Sequence, residues 1–394
     1  MTETKKAKRQ RHKKDVEMAE DMDIYKQLAT HLDDLPGGFP PTETGVELRI
    51  LRRLFKPEEA EMALHLALIP EEAKVIARRA SRPVEETISL LDELFQKGLI
   101  SKFKRKGRPP VYMALQYVIG IWEYNVDALD KELAQDMEEY FPYIIEFDVW
   151  KETPQLRTVP VGQSLDHQLE VMPYEVAEEL VKNQSKCVVA PCICRREKTI
   201  LGKGCEKPED SCLIFGLGAE IYEERGIGRV IDKEEALEIL RQADEAGLVL
   251  QPSNAKDIVN ICCCCGCCCG VLNTLKQHPS PSAIVSSPFV CSAETDKCIG
   301  CGVCVRRCPM DAIELQSDKV VLNADRCIGC GLCVSTCLGD ALSLKRKPES
   351  KQKKVPGTFR SAMVNLARER GKLKPSSAAK MVLKSKRDRL RSRK

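Results

Sequence analysis

The sequence is short of large aromatic side chains: its 394 residues include two Trp, eight Tyr and nine Phe. Rings supply much of the buried area of a large core. Their scarcity, beside 30% charged residues, speaks for several small domains rather than one large one. No apolar run is long enough to span a bilayer, and none follows the basic start as a secretory leader would. A cytoplasmic protein without a transmembrane segment is expected. Histidine is scarce, five residues scattered along the chain, and no nucleophile constellation accompanies it. No residue is assigned a catalytic role, so an electron carrier or subunit is expected rather than a stand-alone catalyst. Gly216-Leu-Gly218 and Gly226-Ile-Gly228 are incomplete as dinucleotide fingerprints and read as turns or caps. Glu178-Glu179 reads as solvated helix surface.

Charge is unevenly spread. Residues 345–394 carry 19 Lys and Arg against 3 acidic residues, a net +16 that leaves −12 for residues 1–344 of a chain at +4. Lys5, Lys6, Lys8, Arg9, Arg11, Lys13 and Lys14 add a basic arm at the start. An acidic body with basic ends points to docking on an acidic partner or, for the tail, a membrane surface. In that tail Phe359, Ala362, Met363, Leu366 and Ala367 fall at helical spacing among arginines.

Cysteine is abundant, 21 residues. In a reducing cytosol, cysteines at short regular spacings read as metal ligands rather than disulfides. Cys298, Cys301, Cys304 and Cys308-Pro309 spell C-x2-C-x2-C-x3-C-P. Cys327, Cys330, Cys333 and Cys337 repeat the spacing 29 residues later, with Leu338 in place of the proline. Asp296-Lys-Cys-Ile-Gly-Cys-Gly is matched by Asp325-Arg-Cys-Ile-Gly-Cys-Gly. Such spacing wraps thiolates around a metal–sulfur cluster, and the glycines let backbone N–H groups approach the sulfurs. Paired zinc knuckles are the alternative, but these set two C-x2-C units across a longer spacer. Over roughly 50 residues the pattern resembles the bacterial two-cluster ferredoxins. That resemblance implies two 4Fe–4S clusters, one on Cys298, Cys301, Cys304 and Cys337, the other on Cys327, Cys330, Cys333 and Cys308. The order of parts in the whole chain is similar to uncharacterised 4Fe–4S ferredoxin-domain proteins of anaerobic bacteria.

Upstream, Cys187, Cys192, Cys194, Cys205 and Cys212 precede Cys262-Cys-Cys-Cys265-Gly-Cys267-Cys-Cys269, and Cys291 stands alone. Seven thiols in eight residues cannot all face one metal, because neighbouring side chains diverge in a helix or a strand. Cys192, Cys194, Cys205, Cys212, Cys262, Cys265 and Cys268 are the candidate ligands of a further site. A 4Fe–4S cluster is favoured, with zinc as the alternative, and two sites remain open.

The fold class expected is multidomain α+β. Residues 1–41 read as a basic arm and linker with a short helix at 24–32. Residues 42–125 read as helices at 45–54, 57–68, 71–80 and 83–97, then strands at 99–103 and 111–115 flanking the basic turn 104–110. Val84, Ile88, Leu91 and Phe95 share one face of the fourth helix. Helices followed by a β-hairpin resemble a winged helix. Residues 126–185 form a connector, 186–290 a cysteine-rich, mostly helical metal-binding domain with a helix at 233–246, 291–345 the two-cluster domain, and 346–394 a basic tail. The expected function is electron transfer, or electron entry into a larger oxidoreductase, with redox proteins as partners. The alternative is a redox-sensing winged-helix regulator. Glu85, Glu86, Asp92 and Glu93 on its reading helix would repel phosphates, so DNA is not the expected partner.

Overall fold

The computed structural model describes residues 24–166, 168–373 and 375–392. The basic arm at 5–14 lies outside the described residues. The chain forms two compact units, one of the residues up to Asn125 with those from Lys372 onward, the other Val126–Gly371.

In the first unit a helix at 24–33 precedes helices Val46–Leu54 and Pro57–Leu64. Pro57 suits the first helical position, and the Glu59 carboxylate accepts the Lys56 backbone N–H at 2.8 Å. Strand β1 (Glu71–Glu72), helices Ala73–Ala80 and Val84–Gln96, β2 (Ile100–Arg105) and β3 (Arg108–Ala114) follow. The sheet runs β1-β3-β2, antiparallel throughout. Pro83 precedes the helix Val84–Gln96 and Gly98, at φ +75°, ends it. Leu91, Leu94 and Phe95 are buried with Leu51, Phe55 and Trp122. Val84 and Ile88, expected on the same face, are exposed by 38% and 40%. Between β2 and β3 the expected basic turn shrinks to Lys106-Gly107 because the ladder extends to Arg105 and Arg108.

A helix of the chain's end, Pro375–Arg391, belongs to this unit. Arg79 forks between Glu71 (2.6 Å) and Asp388 (2.9 Å), and the Ser385 hydroxyl donates to Glu71 at 2.6 Å.

The second unit corrects the expectation of a mostly helical middle domain. Its centre is a five-stranded antiparallel sheet of β4 (Cys187–Pro191), β5 (Asp210–Phe215), β6 (Arg229–Ile231), β7 (Val249–Pro252) and β8 (Asn260–Cys264), in the order β6-β4-β5-β8-β7. A cysteine run shows no polar–apolar alternation, yet thiols pack like small apolar groups on both faces of a strand. Helix Lys233–Glu245 is where expected, capped by Asp232 accepting the Glu235 N–H at 2.8 Å and ended at Gly247.

The ferredoxin-like segment contributes β9 (Phe289–Ala293), β10 (Ile313–Gln316), β11 (Lys319–Leu322) and β12 (Leu342–Arg346), paired β9 with β12 and β10 with β11. Arg307 ties it to the middle sheet's helix, with Nη2 on Asp244 Oδ1 at 2.9 Å and Nε on the Leu332 carbonyl at 3.0 Å.

The early tail also builds this unit. Thr358 caps helix Phe359–Glu369, whose Ala362, Leu366 and Ala367 are buried, and the Asp257 N–H donates to the Gly357 carbonyl at 3.0 Å. The tail does not stand apart from the fold, because burying its apolar stripe offsets the entropy of ordering it.

Candidate metal centres

The two C-x2-C-x2-C-x3-C runs enclose two cavities. One is lined by Cys327, Cys330 and Cys333 together with Cys308, the other by Cys298, Cys301 and Cys304 together with Cys337. Each cavity thus draws three sulfurs from one run and one from the other, and Cys291 lines the first as well. Apolar side chains, among them Ile328 and Leu344 in the first and Leu315 and Leu342 in the second, complete the walls.

Backbone N–H groups reach the sulfurs. Cys291 N donates to Cys327 Sγ at 3.3 Å, Ala312 N to Cys308 Sγ at 3.2 Å and Ala341 N to Cys337 Sγ at 3.3 Å. Gly329 at φ +69° is required here, since a Cβ would lie 2.3 Å from the Phe289 carbonyl oxygen. Burial pushes the thiols of Cys304, Cys308 and Cys327 above their usual range. A metal core that takes their protons relieves that penalty. Dry, sulfur-lined walls with N–H donors fit iron–sulfur clusters. Cys291 lies outside both runs, its sulfur 3.7 Å from that of Cys333.

The middle domain gathers a different group: Cys205, Cys265, Cys267 and Cys268, with sulfurs all within 4.8 Å of one another. Cys268 is 3.6 Å from Cys205 and 3.8 Å from Cys267. Around a single tetrahedral ion, zinc–sulfur bonds of about 2.3 Å put neighbouring sulfurs about 3.8 Å apart. In a cubane each thiolate binds a different iron, so the sulfurs stand further apart. Among the described residues no other group of three or more such ligands is this close, the two ferredoxin sets included. The Cys205 group therefore has the spacing of one ion.

Three of its members, Cys205, Cys265 and Cys268, were expected from the sequence. Cys267 was not, because it breaks the C-x2-C spacing. Divergence of neighbouring side chains holds along β8, but residues 266–268 form a turn, and there consecutive thiols can converge. Gly266 sits against Pro309, where a Cβ would lie 3.1 Å from the proline Cα. This places the turn directly beside the ferredoxin ligand candidate Cys308.

Arg195, the first of the two arginines that follow Cys194, is 2% exposed. Its Nη1 donates to Cys265 Sγ at 3.6 Å and its Nη2 to the Cys263 carbonyl at 3.0 Å and to Ser211 Oγ. Burial works against the Cys265 thiolate, but the Cys268 backbone N–H, the Arg195 guanidinium and the Cys267 thiol outweigh it and bring it to about 7. Cys263, on the other face of β8, is pushed by burial up to about 12. The other expected ligands, Cys192, Cys194, Cys212 and Cys262, are not in the Cys205 group.

Residues 297–341 match the 4Fe–4S dicluster domain family. That segment implies two 4Fe–4S clusters and iron–sulfur electron transfer. Neither curated proteins nor solved structures give a match. Among the described residues no helix is long and apolar enough to cross a membrane.

Proposed function

We propose that this chain is a cytoplasmic electron-transfer protein, or the electron-entry subunit of a larger oxidoreductase. The observation that carries the reading is the crossed pairing of the two cavities. One 4Fe–4S cluster is ligated by Cys298, Cys301, Cys304 and Cys337, the other by Cys327, Cys330, Cys333 and Cys308. The clusters accept and donate single electrons. The chain's own part is to exclude water with Ile328, Leu342 and Leu344, and to set the potentials through the N–H groups of Cys291, Ala312 and Ala341. The Cys205 group takes one tetrathiolate ion, zinc or iron. By joining Cys205 to the 265–268 turn the ion closes a loop of roughly 60 residues and stabilises the sheet's cysteine-bearing end.

In the first unit, the order helix, strand, two helices and a two-stranded hairpin supports a winged-helix reading. Acidic Glu85, Glu86 and Glu93 beside exposed Val84 and Ile88 suit a protein partner better than DNA. The lysines and arginines that the tail keeps on its surface suit an acidic redox partner. The test is anaerobic purification followed by iron and sulfide analysis and electron paramagnetic resonance under reduction. At least about eight irons, in clusters that reduce reversibly, are expected. Fewer irons, or zinc at the ferredoxin cysteines, refutes the reading.

A further inference from the structure

Five cysteines, not four, line the first ferredoxin cavity: Cys308, Cys327, Cys330, Cys333 and Cys291. A cubane takes four thiolates, so one sulfur is left over. The C-x2-C-x2-C-x3-C spacing accounts for the other four and leaves Cys291 as the spare. Cys291 lies on β9, paired with Leu344 of β12. Its backbone N–H donates to Cys327 Sγ at 3.3 Å, and its own sulfur stands 3.7 Å from Cys333 Sγ. One residue thus reaches two ligands of one cluster, the first through its main chain and the second through its thiol.

A buried cysteine can serve as a small apolar filler, and Cys291 is 4% exposed. The molecule carries its own control for that role. The 29-residue repeat of the two runs extends backwards, so that Cys291 stands seven residues before Cys298 and Val320 seven before Cys327. The strands repeat as well. Cys291 faces Leu344 across β9 and β12, and Val320 faces Leu315 across β11 and β10, with Leu315 and Leu344 again 29 residues apart. Val320 is buried in the wall of the second cavity, as Cys291 is in that of the first. Valine therefore meets the packing demand of this position at one cluster. At the other cluster the same position carries a thiol, which packing does not require.

What the thiol adds follows from what lies against it. Once Cys333 is bound to iron, its sulfur is a thiolate and can only accept a hydrogen bond. The Cys291 S–H is then the donor. The Ser292 carbonyl, also 3.7 Å from the Cys291 sulfur, is the competing acceptor. A charged acceptor makes the stronger bond, so the hydrogen turns to Cys333. Val320 has no such hydrogen to offer in the second cavity. Reduction adds one electron and makes a cluster more negative, while the proton stays on Cys291. A hydrogen bond to a ligand sulfur favours that more negative state.

We propose that the Cys291 thiol is a non-ligating hydrogen-bond donor to Cys333, a positioning residue that raises the reduction potential of the cluster on Cys308, Cys327, Cys330 and Cys333. The other cluster has no counterpart to it. The proposal deepens the electron-transfer reading and rests on its two clusters.

The test is a redox titration of the full chain, purified without oxygen and followed by electron paramagnetic resonance, beside iron and sulfide counts. Cys291→Val copies the residue that the repeat already holds at this position, so cluster content should be retained. It should lower the midpoint of one cluster and leave the other in place. The expected change is at least about a threefold loss in that cluster's reduction equilibrium, about 30 mV at about 59 mV per tenfold for one electron. Cys291→Ser keeps a donor and should stay nearer the wild-type midpoint than Cys291→Val. A packing role alone predicts the reverse order, since serine is smaller and more polar. Val320→Cys should raise the midpoint of the cluster that Cys291→Val leaves alone. Wild-type midpoints in Cys291→Val, or an equal shift of both, overturn the proposal. So does loss of a cluster from that variant, which would make Cys291 a ligand. A wild type without two reducible clusters refutes the electron-transfer reading and takes this proposal with it.

Discussion

Replacing Arg195 by methionine should weaken metal binding at the Cys205 group in a pH-dependent way. The guanidinium lies 3.6 Å from Cys265 Sγ and is 2% exposed. At an effective dielectric constant of about 20, two unit charges at that distance interact by about 4–5 kcal/mol. One pKa unit corresponds to about 1.4 kcal/mol, so losing the whole attraction would raise the thiol by roughly three units. The Cys265 thiol, now at about 7, would then stay protonated well above neutral pH. Metal competes with protons for the sulfur, so a raised thiol pKa means metal loss at higher pH. The assay lowers the pH stepwise in the presence of a chromophoric chelator and follows release of the single ion. The release midpoint of Arg195→Met should lie at least about one unit above that of the wild type, allowing for relaxation around the missing side chain. Arg195→Lys, which keeps the charge but loses the fork to Cys263 and Ser211, should fall between them. Coincident midpoints in a variant that retains its ferredoxin sulfide would refute the reasoning.

Crossed ligation predicts that Cys308→Ala with Cys327→Ala removes one ferredoxin cluster, whereas Cys308→Ala with Cys298→Ala removes both; iron counts and paramagnetic resonance distinguish the two. Gly329→Ala forces a left-handed φ on a residue whose Cβ would meet the Phe289 carbonyl at 2.3 Å. It should cost about 2 kcal/mol or more, read as faster bleaching of the adjacent cluster by a chelator. Glu123 is raised by burial from 4.5 to about 7, opposed by the Gly120 N–H. Its folded form favours the proton, so its contribution to the first unit's stability is present below about pH 4.5 and lost as pH rises through 7. Glu123→Gln, which keeps an acceptor for Gly120, should flatten that part of the melting-temperature profile, and an unchanged slope would count against the assignment.

Elements set by local chemistry were readable from the sequence. Pro83 and Gly98 bracket one helix, and Asp232 and Gly247 another, because caps depend on the residues at the ends. The ferredoxin runs were readable for a related reason. Three ligands within seven residues define a local loop, and the repeat 29 residues on supplies its partner.

Tertiary structure decided what spacing could not. The cysteine-rich run gives no periodicity from which a strand can be inferred, yet β8 takes its first half, pairing Cys212 with Cys262 and turning Cys263 to the other face. The 265–268 turn then aims Cys265, Cys267 and Cys268 at Cys205, roughly 60 residues away in sequence. Val84 and Ile88 matched the helical period of Leu91 and Phe95, but periodicity does not say how far along a helix its neighbours reach. The sequence sets Arg195 and Arg196 together after Cys194, where basic groups favour thiolates, but spacing could not tell which of the two is buried. Only folding buries Arg195 among thiols, where its charge has no counterpart except sulfur. The sequence alone thus determined that the chain binds metal through cysteine. The sheet determined which cysteines meet, because convergence of side chains from strand, turn and helix ends is a property of three-dimensional packing and not of spacing along the chain.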